Sequence, residues 1–472
     1  MSVTAEDIKF RKSVSVSDVG ANGGRVGYAE VLSGIKHNLF PRVTKAERTA
    51  GITRYRKQFF RNENAANEIS YGVLLYPEFP TNAGDRILAA LGTKDDIQGD
   101  IDSTYKWASC GPLNGNVSAG GYSVTIACES DDMDILNGGM LHISNKYETG
   151  TVDAAAKIGD SVEWSVGLSK WLPIAHTDNI VYPKGLFLGS STVMTHRVGD
   201  TDEYLRIADV TYADEDIGTG DGAASAPPLT TLLHPPVCKD TGKLPVVTTL
   251  DTGDNPMSVG VAPNGLCSGD CSAGELNMET GVWTTDITWT AVPKNNEDIL
   301  ITYHERAFSW AANVVTIALE DQLANSYLAA ESYVGICIEA GDVEPESLDW
   351  AETSSAGTYD ETTYPLMLDN RGTVTDSFTI TFTDAINFGC SGVAEGSLGN
   401  GLITSDFAPI NPHTGQPYFT LNKDGWGGSW VNGDTVTFKT VAAGVPIWLK
   451  EIVPPATAAE SFNLMVLGWY SE

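Results

Sequence analysis

At 472 residues and 50.3 kDa the chain has room for about three domains of ordinary size, and its 42% apolar content excludes disorder along its length. With 29 Lys+Arg against 61 Asp+Glu the net charge is −32, which repels phosphate backbones and excludes a general nucleic-acid binder. No apolar run approaches the ~18–20 residues of a spanning helix, Met1–Asp7 lacks the basic flank and apolar core of a signal peptide, and an odd seven Cys argues against a complete disulfide framework.

The charge is uneven. Residues 1–62 hold 12 basic residues and five acids, a balance of +7, so the other 410 residues carry −39. A basic leader on an acidic body is complementary between copies of one chain. The expectation is that the leader docks on a neighbouring copy; packing on its own body and contact with nucleic acid are the alternatives.

In chain order, Ser13–Tyr28 is polar and rich in Gly and reads as an extended loop or arm. Ala29–Ser33 is a weak helix candidate. Thr44 followed by Glu47 fits a capping box and Gly51 a stop, predicting a short helix over 44–51. Thr53–Asn62 alternates and reads as a strand; Tyr71–Tyr76 is a second. Gly121–Cys128, Met140–Ser144 and the hairpin Phe308–Leu319, with its joint at Ala312–Asn313, continue the β pattern. Residues 150–305 read as an insertion whose composition shifts to the Asp and Gly clusters Asp200–Glu203 and Asp214–Gly222. Gly274–Trp283 reads as strand, tight turn, strand, and Ile299–Tyr303 as a further strand. Tyr364–Leu368, Ser377–Phe382, Thr435–Phe438 and Val445–Leu449 are the strands of a last unit.

Turn signals every eight to twelve residues and 48 Gly with 22 Pro point to a mainly β protein. The expected fold class is a set of multi-domain β-sandwich or β-barrel-like units with an extended N-terminal arm and one or two short helices. The expected domains are a basic arm at 1–66, a β core at 67–149 plus 306–345, a β-rich insertion at 150–305 with a small module at 237–305, and a β-sandwich at 346–472.

Residues that carry chemistry are sparse. None of the seven His has metal-ligand spacing to another His or Cys. Cys267 and Cys271 form a C-x3-C without the second pair that zinc requires, and read as free thiols or an incidental bridge. Asp214, Asp216 and Asp221 have carboxylate spacing for Ca2+ but lack the twelve-residue loop ending in Glu, so a solvated turn is the better reading. No phosphate-binding or nucleophile-elbow motif is present, and with 61 acids no carboxylate pair stands out. Trp426 and Trp430, set among Gly425, Gly427 and Gly428, are candidates to stack on a sugar, but packing at a sandwich edge or a subunit contact is the better reading.

Three stretches resemble a family of tailed-bacteriophage virion structural proteins associated with the tail, neck or baseplate. The first runs from Gly23-Gly24-Arg25 through Asn38-Leu39-Phe40-Pro41 and Ala46–Gly51 to Tyr55-Arg56-Lys57. The second is Gly341–Pro345. The third is Pro417–Leu421 with Val445–Lys450. The Gly274–Tyr303 module is similar to small β modules of phage tails, and the acidic 150–225 region has no counterpart. The resemblance implies a repeated virion building block made in the host cytoplasm, with no catalytic residue, metal or cofactor. Its implied partners are copies of itself and other virion proteins, with no nucleic acid and no membrane. Arg25, Phe40, Arg42, Arg48, Tyr55, Arg56 and Lys57 are then the expected assembly contacts. The alternative is a receptor- or glycan-binding appendage that exposes Trp426 or Trp430 over a groove to a host-surface glycan.

Overall fold

A computed structural model describes residues 3–4, 6–31, 39–41, 43–79, 85–128, 133–144, 202–329, 332–456 and 465–470, with the backbone of short strands at 156–158, 162–164, 180–181, 186–188 and 196–197. The protein is mainly β, built of antiparallel sheets. Among the described residues one α-helix is present, Lys45–Ala50. Its N-cap is Thr44, Glu47 completes the capping box, and Gly51 follows at φ 79°, as the spacing required.

The chain divides into two compact units. One comprises Met1–Cys110, Lys146–Asp200 and Cys337–Glu472; the other comprises Gly111–Asn145 and Thr201–Ile336. In the first unit a six-stranded sheet has the order Gly23–Glu30, Ile8–Ser15, Ile52–Asn62, Gly444–Val453, Arg86–Leu91, Trp107–Ala108. Its longest pairing runs from Ile52↔Val453 to Arg61↔Gly444. Two sequence expectations change here. Ser13–Tyr28 is not a loop: it falls largely in a β-hairpin, Ile8–Ser15 with Gly23–Glu30, and the same strand absorbs Ala29 and Glu30 of the helix candidate. Glycine serves close packing there. Gly23 has φ 108°, and a Cβ on it would lie 2.7 Å from the indole of Trp448.

The same unit contains a five-stranded sheet in the order Glu346–Thr353, Thr435–Val441, Asp376–Phe382, Asn387–Gly392, Gly396–Leu402. One face covers an aromatic core of Phe378, Phe382, Phe388, Phe407, Phe419, Trp430 and Phe438. The expected strands at 377–382 and 435–438 lie in it. Val445–Leu449 does not: it belongs to Gly444–Val453 in the six-stranded sheet. Tyr364–Leu368 is not a strand and keeps one isolated bridge, Met367↔Thr420. Pro365 removes a ladder donor there.

In the second unit a five-stranded sheet has the order Thr211–Thr219, Asp298–His304, Val246–Leu250, Pro256–Val261, Cys267–Gly269, and Cys271–Leu276 pairs with Trp283–Trp289. Their shared core includes Ile217, Val247, Val259, Ile287, Trp289, Ile301 and Tyr303. The acidic 214–222 run, expected as a turn, lies mostly in the bulged strand Thr211–Thr219, with Asp214 at φ 54°. The hairpin Phe308–Ala311 with Val314–Ala318 pairs onward to Ser123–Ala127, with Ala312 at its turn.

Candidate functional site: the basic leader and the tryptophan loop

The strand Ile52–Asn62 carries four of the leader's 12 basic residues through the middle of its sheet, paired on both sides. Alternation sends Arg54 and Arg56 to one face, Lys57 and Arg61 to the other. All four are buried, so each needs partners.

Lys57, 1% exposed, places Nζ 2.6 Å from Asp96 Oδ1 and donates to the carbonyls of Gly24 and Asp96. Asp96 Oδ2 accepts from Trp448 Nε1 at 2.7 Å and from the Tyr105 hydroxyl at 2.5 Å. Burial works to raise the Asp96 carboxyl, but the bonds from Lys57, Tyr105 and Trp448 prevail and hold it below its ordinary range. Arg54 bridges two acids: it pairs with Glu47 of the helix and with Glu451 at 3.1 Å. Glu451 is 2% exposed. Burial, with Asp85 adding, pushes its carboxyl up to about 7 against the opposing Arg54 and Arg56.

Arg25, Phe40 and Arg56 among the expected contacts, and Arg11 and Arg61 beside them, are engaged in the same way. Arg56 donates to the carbonyls of Leu39, Ser17 and Tyr55, pairs with Asp18 at 2.7 Å, and lies over the buried ring of Phe40. Arg25 pairs with Glu395 at 2.7 Å, and that carboxylate also accepts from the Tyr418 hydroxyl. Arg61 donates to the carbonyls of Asn370 and Thr373, and Arg11 forks onto Glu63. Tyr55 is half-buried beside Trp107, and Arg48 is half-buried in the last helical turn. Arg42 lies outside the described residues. Among the described residues, Arg11, Arg25, Arg54, Arg56, Lys57 and Arg61 of the leader therefore pack on their own chain, the alternative the charge pattern had left open. Its partners Asp96, Trp448 and Glu451 had no local signal in sequence, because they stand 39 to 397 positions from the bases they meet.

The tryptophan loop is core. Trp430 is 2% exposed and stacks on Phe382 at 4.3 Å with an interplanar angle of 6°. Trp426 is half-buried and meets Tyr359, Phe382, Phe388 and Trp430 edge-on or tilted. Gly357 is fitted to this packing, since a Cβ on it would lie 2.3 Å from Trp430. Neither tryptophan is exposed over a groove, so the glycan reading loses the residues it rested on.

Elsewhere, Asp221 accepts the amides of Ala223 and Ala224 in a turn, and Asp216 accepts that of Gly218 within the bulge of Thr211–Thr219. Among the described residues no group of three His, Cys, Asp or Glu is placed to hold a metal. Cys267 and Cys271 are free thiols on the edge of the second unit's core. One feature had no sequence signal, a half-open cavity of about 330 Å3 in that unit, walled by Val210, Pro236, Glu305, Arg306, Phe308 and Thr316. Near it in sequence, His304 Nδ1 faces both Asp209 at 2.8 Å and Thr211 Oγ1 at 3.1 Å. Both oxygens address the same ring nitrogen, so this trio is not a relay from hydroxyl to carboxylate.

No family model matches the chain, and no curated protein matches it. Among solved structures it is compared with the infectious bursal disease virus VP2 subviral particle, at 11% identity over 89% of this chain and 81% of that one. The TM-score of 0.09 is too low for that comparison to bear on fold or function.

Proposed function

We propose that this chain is a non-enzymatic structural component of a tailed-bacteriophage particle, assembling as a symmetric ring in the tail, neck or baseplate. It works in the virion, with copies of itself and other virion proteins as partners. The observation that carries the reading is that two separate stretches of the resemblance are hydrogen-bonded neighbours: Tyr55, Arg56 and Lys57 stand opposite Lys450, Leu449 and Trp448. The two stretches are therefore adjacent strands of the six-stranded sheet. The mainly β architecture, with several sheet edges and an acidic, self-repelling exterior, suits a subunit that stays dispersed until it assembles.

The test is to purify particles and locate the chain by antibody labelling and particle imaging. A ring of copies at one station is expected. A chain missing from the particle, or a purified chain that cleaves host-surface glycans, would overturn the proposal.

A further inference from the structure

The strand Ile52–Asn62 carries a nucleophile that plays no part in the proposed assembly. The Lys57 side chain is fully buried, and its amine lies against the carboxyl of Asp96, 39 positions further along the chain. The rings of Phe59 and Trp448 lie 5.0 and 5.9 Å from Nζ. Two glycines let the backbone close around the pair. A Cβ on Gly23 would lie 2.9 Å from the Asp96 carbonyl, and one on Gly92 would lie 2.8 Å from Trp448 and 3.1 Å from Asp96 Oδ2. An amine and a carboxyl thus share an aromatic site nearly closed to water.

The two carboxyl oxygens are treated differently. Oδ2 accepts from Trp448 Nε1 at 2.7 Å and from the Tyr105 hydroxyl at 2.5 Å. Oδ1 has Nζ at 2.6 Å and no other donor. Nζ in turn donates to the carbonyls of Gly24 and Asp96, at 2.7 and 3.0 Å. An ammonium has three N–H bonds, and a neutral amine has two with a lone pair. With two N–H bonds on those carbonyls, the lone pair of a neutral Lys57 is left for the Asp96 carboxyl. Burial draws the ammonium below its ordinary range, against the pull of Asp96, Asp95 and Asp100, and so eases loss of its proton.

We propose that Lys57 and Asp96 condense into an intramolecular isopeptide bond, a covalent staple between the central strand of the six-stranded sheet and the loop that follows Arg86–Leu91. The ion pair is the reactant and already holds every atom needed: an ammonium and a carboxylate give an amide and one water. A proton passes from Nζ to Oδ1. The amine lone pair then attacks Cγ, and the C=O electron pair moves onto Oδ2, where the Trp448 and Tyr105 donors receive the charge. A second proton moves from nitrogen to the Oδ1 hydroxyl, the Cγ–Oδ1 bond breaks, water leaves, and the C=O bond to Oδ2 re-forms. No oxidant, cofactor or second molecule enters. Contact between the groups makes the reaction unimolecular, and the product removes two charges from an interior that penalises both. Because the Asp96 carboxyl is held ionised, the first proton transfer limits the rate, and the bond forms after folding.

The experiment is intact-mass measurement of the full chain, followed by proteolysis and peptide mapping. The expected result is a chain lighter than its sequence by one water, about 18 Da, with the Lys57 and Asp96 peptides recovered as one branched species. Lys57→Arg keeps the cation without the attacking amine and should restore the full mass, as should Asp96→Ala. Tyr105→Phe removes one donor to Oδ2 and should slow appearance of the branched peptide in freshly synthesised chain at least ~10-fold. Folded wild-type chain that keeps its full mass over days overturns the proposal. So does a water lost elsewhere, such as by cyclisation at Asp221-Gly222 or Asp424-Gly425. The measurement is made on the isolated chain, so its outcome is separate from that of particle labelling.

Discussion

Replacing Lys57 by Met tests whether the leader is a structural part of its own sheet. The substitution keeps an apolar stem of similar length and removes Nζ, which lies 2.6 Å from Asp96 Oδ1 and donates to two carbonyls. Asp96, with its side chain 5% exposed, is left as a buried anion whose remaining donors are Trp448 and Tyr105. Breaking one side of such a pair costs about 3–5 kcal/mol. Pairing Lys57→Met with Asp96→Asn removes both charges and keeps an amide oxygen for the indole and phenol. The double variant should therefore recover about 0.5–3 kcal/mol relative to the sum of the single changes. The measurement is urea-dependent hydrogen exchange of the Ile52–Asn62 amides, which reports the opening of this sheet independently of the second unit. A loss below about 1 kcal/mol for Lys57→Met, or strict additivity in the double variant, would refute the reasoning.

Deleting residues 1–62 removes three of the six strands of that sheet, so the first unit should fail to fold while the second retains slow amide exchange; protection of Gly444–Val453 in the truncated chain would count against this. Glu451 makes stability depend on pH. Its carboxyl rises from an ordinary 4.5 to about 7 in the fold, so its contribution is fully present below 4.5 and is lost as pH rises through about 7. At about 1.4 kcal/mol per unit the loss is about 3 kcal/mol, and Glu451→Gln should flatten that slope in denaturation measured from pH 4 to 8; an unchanged slope argues against the assignment. Trp430→Ala should cost about 3–5 kcal/mol in thermal unfolding of the first unit, through the cavity left beside Phe382. Gly357→Ala should destabilise the same core by overpacking, and a wild-type melting curve for either variant would contradict that account.

The local grammar of the chain was legible. Thr44, Glu47 and Gly51 mark a helix that forms where they place it, and Ala312–Asn313 joins the hairpin it was expected to join. These signals act over three to five residues, within reach of sequence reasoning. Pairing at long range was not legible. Val445–Leu449 has the alternation of a sandwich strand, and nothing local states that its neighbours are Gln58 and Ala90 rather than Phe378. The same blindness affected the basic residues. An alternating Arg-x-Arg-Lys run looks like an exposed binding strand, and it becomes an interior strand only because Asp96 and Glu451 arrive from distant segments to neutralise it. Trp426 and Trp430 left two readings open for a related reason, with packing the better one: glycine beside tryptophan serves a sugar-binding loop and a tightly packed core equally well, and the deciding contacts with Phe382 and Gly357 lie far away in sequence.

The partnership of Ile52–Asn62 with Gly444–Val453 has a consequence for biogenesis. Arg54 and its acid Glu451 are 397 positions apart. At ~5–20 residues per second, a ribosome needs about 20–80 s to deliver the second after the first. Throughout that interval a strand carrying Phe59 and Phe60 beside unneutralised cations waits in the nascent chain without its central neighbour. The sheet therefore closes late in translation, and the waiting segment is the one a chaperone would have to shield on the growing polypeptide.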